Sequence, residues 1–349
     1  MWTRRDILRL IPAPALLAVA RAAEAPDFTR VDTHIHIHRD APALVSALKE
    51  SGWRGLDIVV CPAVGDEPFD LEAKLRATLA VAREGRDTLA WASTFDARGF
   101  ESPDFAGRTI ARLRRSFDDG AIGVKIWKNI GMAIKSKSGA YLLPDDPSLL
   151  PIYEAIGRAD RTLIAHLAEP DGAWLPLDDK NPEFSYYSKN PHWHMFGKPG
   201  APIKEAILTA RDRVLARFPK LRVVGCHLGS DEDDLTRLAR RLDAFPNFAV
   251  DTAARVRYFA RVDRDRAREF LTRYQDRILY ATDFSLRDGD PADAARSLQA
   301  THDRDWEFFS RGDAMEYAGR RTRGLELPEG VLRKIFRENA LRWLPGLQA

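Results

Sequence analysis

The chain is 349 residues long, 45% hydrophobic and 30% charged, with a formal net charge of +3. That composition excludes a disordered or fibrous chain, and the length suits one large domain or two ordinary ones. The basic excess is no sign of a nucleic-acid partner, because residues 1–22 carry Arg4, Arg5, Arg9 and Arg21 against Asp6, a net of +3 that equals the whole.

Thr3-Arg4-Arg5-Asp6-Ile7-Leu8 is a twin-arginine pattern. It precedes a short apolar core, Leu10 to Val19, and the small-residue run Ala20-Arg21-Ala22. Residues 1–25 therefore read as an export signal, and residues 26–349 as a near-neutral mature domain expected in the periplasm or otherwise exported. The apolar core is shorter than the roughly 20 residues a bilayer span needs, so no membrane anchor is expected after the signal is removed. Charges of both signs are intermixed through the rest, and no nucleic-acid role is expected. Cys61 and Cys226 each sit inside an apolar run and read as buried thiols rather than a disulfide.

Past the signal, short apolar runs alternate with amphipathic stretches. The runs are Val31–Ile35, Leu56–Cys61, Thr88–Thr94, Ile122–Ile126, Leu163–His166, Leu221–His227, Phe248–Asp251 and Ile278–Thr282. Helical patterns lie between them over Leu71–Arg83, Thr109–Phe117, Leu150–Ala159, Ile203–Arg217, Asp234–Leu242 and Arg266–Tyr274. Eight strands alternating with helices predict an α/β fold, a (β/α)8 TIM-like barrel. The one long interval follows the fifth strand, where residues 167–202 form an aromatic-rich loop insertion with Trp174, Tyr186, Tyr187, Trp193 and Phe196. A loop of that length inside a compact domain is usually functional, and this one is placed to cover the barrel mouth as pocket wall or lid. Packing on a neighbouring copy in a homo-oligomer is the other role open to it.

Four segments end an apolar run in a metal-binding side chain: VDTHIH, LIAH, VVGCH and LYATD. They put His34, His36, His166, His227 and Asp283 at predicted strand ends, the end at which barrel active sites are built. Strand alternation puts His34 and His36 on one face, with Thr33 and Ile35 on the other. The same rule pairs Gly225 with His227 inward, turning Val224 and Cys226 outward. It pairs Ala281 with Asp283, and Gly123 with Lys125 and Trp127. His38 continues the parity of His34 and His36 but lies past the expected strand end and takes no assignment.

Three or four imidazoles and a carboxylate suit a divalent metal, zinc first, with manganese or iron as alternatives. Asp283 beside the ion and its water is placed to act as general base. Lys125, pointing inward, has three readings: a carbamate bridging two ions, an anchor for an anionic substrate, or a partner of Asp283. Lys128 and Arg255, just past strand ends, are candidates to bind a substrate carboxylate, with Trp127 and Trp174 as aromatic pocket residues. Glu169 is either a support of the site or part of the loop.

The segments VDTHIHIH, GVKIWK, IAHLAEP, VVGCHLGS and LYATDFS, with the terminal IFRENALRWL, resemble the amidohydrolase superfamily, and most closely its amidohydrolase-related branch of hydrolases and decarboxylases. The resemblance spans approximately residues 28–345. It implies a distorted barrel in which His34, His36 and His166 bind metal and Asp283 is ligand and base. It also implies that His227 either binds a second ion or polarises the substrate. Lys125 stands where two-metal members carry a carboxylated lysine, so one or two ions remain open. The function expected from residues and resemblance together is metal-dependent hydrolysis of an amide, ester or lactone of a small, carboxylated molecule. Decarboxylation of a small aromatic or cyclic carboxylate and a non-catalytic periplasmic binding role are the alternatives.

Overall fold

A computed structural model describes residues 26–286 and 289–347; the expected export signal, residues 1–25, lies outside the described residues. The apolar runs become parallel strands β1 (Arg30–His36), β2 (Trp53–Ile58), β3 (Leu89–Thr94), β4 (Gly123–Ile126), β5 (Thr162–Ala165), β6 (Val223–Gly225), β7 (Phe248–Asp251) and β8 (Ile278–Leu279). The helices between them are α1 (Pro42–Glu50), α2 (Leu71–Glu84), α3 (Phe105–Asp118), α4 (Leu150–Arg158), α5 (Lys204–Arg217), α6 (Leu235–Ala244) and α7 (Arg264–Arg273). After β8 come a two-residue strand, β9 (Phe284–Ser285), and the longest helix, α8 (Pro291–Ser310). Helix starts are written in the sequence. Asp70, Asp234, Asp263 and Asp290 each accept a backbone N–H of the first turn, satisfying donors that have no partner inside the helix.

Neighbours in the sheet run β8-β7-β6-β5-β4-β3-β2-β1-β9. Because β9 pairs with β1 and follows directly on β8, the sheet curls round on itself into a TIM-barrel-like α/β fold. The amides of Thr33 and Asp283 strengthen that seam by donating to Tyr280 O and His34 O.

The interior is filled from one residue of each strand or its approach: Val31, Leu56, Ala92, Ile122, Ile164, Val224, Ala249 and Leu279. Ala340, Trp343 and Leu344 join this cluster from the C-terminal helix (Glu329–Arg333 and Asn339–Trp343, joined by the π-helical Lys334–Glu338). Asn339 donates to Ile278 O and Trp343 Nε1 to Asp276 O, so the helix seals the end at which the strands begin. The opposite end stays open.

Three features depart from simple alternation. In β1, three steps from Asp32 to Ile35 face two in β2 from Gly55 to Asp57, an extra residue that shifts the parity. Val31 and His34 thus both reach inward, while Asp32 bonds His302 of α8 behind the wall. The segment between β5 and α5 is no plain loop: it carries single helical turns at Asp171–Trp174, Phe184–Tyr187 and Pro191–Trp193. A two-strand hairpin, β10 (Ala314–Tyr317) with β11 (Arg320–Arg323), was not anticipated.

Candidate metal centre

At the open end, His34 and His36 leave β1 and Asp283 leaves β8, and one ligand atom from each lies within 4.8 Å of the others. Asp283 Oδ1 is 3.5 Å from His34 Nε2 and 3.3 Å from His36 Nε2. Tetrahedral ligands about 2.1 Å from one zinc ion stand roughly 3.4 Å from each other, so this spacing is that of a ligand set. His166 and His227 form an adjoining pair on the same cavity, His166 Nδ1 lying 3.2 Å from His227 Nε2.

The imidazoles are prepared for a cation by what holds their other nitrogens. His34 Nδ1 bonds Asp251 Oδ2 at 2.9 Å, His36 Nδ1 bonds Ile58 O at 2.7 Å, and His227 Nδ1 bonds Ala253 O at 2.8 Å. Carbonyl and carboxylate oxygens accept, so each Nδ1 carries the proton and each Nε2 keeps its lone pair. His166 Nδ1 then donates to His227, which leaves His166 Nε2 a buried lone pair without a partner. A bare buried lone pair costs free energy, and a metal ion would satisfy it. Donor set, spacing and orphaned nitrogen all fit a divalent ion.

Electrostatics agree. Burial, and next Lys125, lowers the pKa of His34, while burial with His227 and Lys128 takes His166 well below the ordinary imidazole value. Burial pulls His227 down to about 3. All three are neutral and able to ligate at pH 7. Burial alone would raise the Asp283 carboxyl, but His227, His36 and His34 hold it well below the usual carboxylate range. It is ionised at any working pH.

The alternation expected for β6 is wrong. Val224 and Cys226 lie in the interior cluster, whereas Gly225 faces outward, where an added Cβ would stand 2.7 Å from the Phe248 ring. His227 reaches the site because the chain turns left-handed just past the strand, with φ of 59° at His227 and 55° at Leu228. Asp251 Oδ1 accepts the His227 N–H at 2.7 Å and Arg211 Nη1 donates to Gly229 O, holding that turn. Among the described residues, seven of the ten non-glycine positions with positive φ, including Ala168, His227, Ala254 and Asp283, follow strand ends around this cavity. Such backbone costs about 1–3 kcal/mol per residue and gathers at functional sites.

A family model described as amidohydrolase matches residues 31–346. The chain belongs to the amidohydrolase family. No curated protein sequence matches it. The fold is similar to that of a 2,6-dihydroxybenzoate decarboxylase from Rhizobium, at 15% identity over 91% of this chain and 98% of that one, TM-score 0.53. It is also similar to a dihydroxybenzoic acid decarboxylase from Polaromonas with bound manganese, at 14% identity over 92% and 98%, TM-score 0.55. A 4-oxalomesaconate hydratase from Rhodopseudomonas palustris matches at 14% identity over 91% and 96%, TM-score 0.50. Identities this low establish the common fold alone.

The amidohydrolase's cavity, about 860 Å³, is lined by the ligand cluster and by Lys125, Trp127, Lys128 and Arg255. Lys125 does not pair with Asp283: its ammonium lies 3.2 Å from His34 Nε2 and 2.9 Å from Cys226 Sγ. Lys128 is ion-paired with buried Glu169, accepted by Tyr186 Oη at 3.0 Å and packed 4.6 Å from the Trp193 ring. Arg255 Nε donates to buried Glu232 at 2.7 Å. Both cations therefore arrive at the wall already paired. Trp174 is not in the cavity; its indole N–H donates to Pro202 O within the segment after β5. His38 lines the cavity with Nδ1 near Thr78 Oγ1 at 3.1 Å. The sequence reading missed Asp251, although its run, FAVD, ends in a carboxylate just as LYATD does.

Proposed function

We propose that this amidohydrolase is a metal-dependent hydrolase of a small amide, ester or lactone. The observation that carries this reading is the spacing of His34, His36 and Asp283 at the open barrel end, with His166 presenting an unpartnered lone pair beside them. A divalent ion bound there, zinc for preference, supplies Lewis acidity toward a carbonyl and a water. His34, His36, His166 and Asp283 would hold it. Asp283, one-third exposed to the cavity, takes the proton of the attacking water and returns it to the leaving group. His227, protonated on Nδ1, accepts the His166 Nδ1–H at its Nε2, which suits it to orienting His166 rather than donating to a carbonyl oxygen. Six lysines and arginines against three carboxylates line the cavity, a cationic excess suited to a carboxylated substrate even with Lys128 and Arg255 paired.

That cationic wall beside Asp283 is also the observation that favours a second reading, decarboxylation, in which the substrate carboxyl itself is lost. Residues 1–25 would direct the enzyme out of the cytoplasm by the twin-arginine route; recovering the product of a signal-deleted gene in the same cell fraction as the intact one would argue against this.

The test is metal removal and replacement combined with product analysis. Chelation is expected to lower turnover of ester, lactone or amide substrates by at least roughly 100-fold, since Lewis-acid assistance is worth several kcal/mol. Adding back zinc or manganese is expected to restore it. Release of carbon dioxide from carboxylated substrates, without water incorporation, would replace the hydrolase reading by the decarboxylase one. Full activity in a metal-free preparation would end both.

A further inference from the structure

We infer that Asp32, bonded to His302 behind the barrel wall, is a positioning residue that fixes the distance between the β1 and β8 metal ligands. This rests on the metal-binding reading above. Asp32 and His302 are fully buried. One carboxylate oxygen, Oδ1, accepts the backbone N–H of His34 at 3.2 Å and that of Thr282 at 3.1 Å. The other, Oδ2, accepts the Thr282 hydroxyl at 2.6 Å and His302 Nε2 at 3.0 Å. The Thr282 hydroxyl oxygen in turn accepts the Phe284 N–H at 3.1 Å. Asp32 thus grips His34 directly and, through Thr282, the backbone on both sides of Asp283.

The backbone ladder at this seam is short: the Asp283 N–H donates to His34 O at 2.9 Å, and β9 pairs with β1 at Ile35–Phe284 and His36–Ser285. The extra residue in β1 falls at Asp32–Ile35, so regular pairing with β2 lapses there, and β8 ends at Leu279, four residues before Asp283. Four hydrogen bonds to one buried carboxyl group supplement that short ladder. What they hold is the 3.3–3.5 Å spacing of Asp283 from His34 and His36.

His302 supports the assignment by what it leaves undone. Its ring stacks on Trp53 with centroids 3.8 Å apart, a contact a phenylalanine would also make. Its Nδ1 is buried without a partner, which costs free energy a phenylalanine would not incur. For packing alone the imidazole is the poorer choice; its Nε2–H to Asp32 is what it adds.

The test separates that bond from the packing. Zinc affinity of the full chain is measured by competition with a chromophoric chelator, beside thermal unfolding without metal, for His302→Phe, His302→Gln and Asp32→Asn. His302→Phe keeps the stacking and loses the donor; zinc binding is expected to weaken roughly 10–100-fold, as for lost supports of ligands. His302→Gln keeps a donor near Nε2 and is expected to bind zinc within about threefold of wild type. Asp32→Asn, where it folds, is expected to follow His302→Phe. Wild-type zinc affinity in His302→Phe, or equal losses in the Phe and Gln variants, would overturn the assignment. A wild-type chain that binds no zinc or manganese would instead overturn the metal reading on which it rests.

Discussion

Asp283→Asn is expected to lower turnover by about 10³-fold or more while leaving the metal-free fold intact. The substitution is isosteric, so the backbone N–H to His34 O and the packing around residue 283 survive. What disappears is the negative charge facing His34, His36 and His227, and with it the group that accepts a proton. General base catalysis alone is worth roughly 10²–10⁴-fold. The carboxylate is also the only anion in the tight ligand group, so the variant should hold its ion less firmly as well. Turnover measured at saturating zinc, with far-ultraviolet circular dichroism as the fold control, checks the expectation. Activity within tenfold of wild type would remove Asp283 from the proton transfer.

How far the site could be read in the sequence follows from how local its causes are. His34, His36, His166 and Asp283 each stand at the end of an apolar run, and a run of four to seven residues announces both a strand and the end at which it opens. The parity rule then served β4, whose Lys125 and Trp127 do line the cavity with the site. It failed at β6 because parity ends with the ladder. Past Gly225 the chain turns left-handed, and Phe248 pressing on Gly225 and Gly229 shapes that turn from a different strand. No pattern in VVGCHLGS carries that information. Nor does VDTHIH reveal that Asp32 faces the opposite way from His34, since the extra residue that reverses it exists only in the pairing with β2. Lys128 and Arg255, expected just past strand ends, line the cavity, but their partners Glu169 and Glu232 are 41 and 23 residues away, and a cation already paired looks the same in sequence as a free one.

The residue the sequence reading passed over has the second large expected effect. Asp251→Ala should destabilise the protein by about 3–5 kcal/mol, the cost of emptying one side of a buried, hydrogen-bonded charge site. Asp251 ends β7 almost fully buried and accepts from three donors: His34 Nδ1, and the amides of His227 and Ala253 at 2.7 and 3.1 Å. Alanine strands all three. It frees the His34 ring to rotate, and it releases the strained turn that brings His227 to the cavity, so zinc affinity should fall together with stability. Burial alone would raise the Asp251 carboxyl, but His34, with His227 and Lys125, lowers it below its ordinary value. A folded-state pKa below the unfolded one means the stabilisation is complete above about pH 4, the unfolded carboxylate's range, and is lost as pH falls through the folded value. Urea unfolding of the two metal-free proteins should therefore differ most at neutral pH and converge in acid. A difference under about 1 kcal/mol at pH 7 would mean that water takes over the three donors and that Asp251 does not organise the centre.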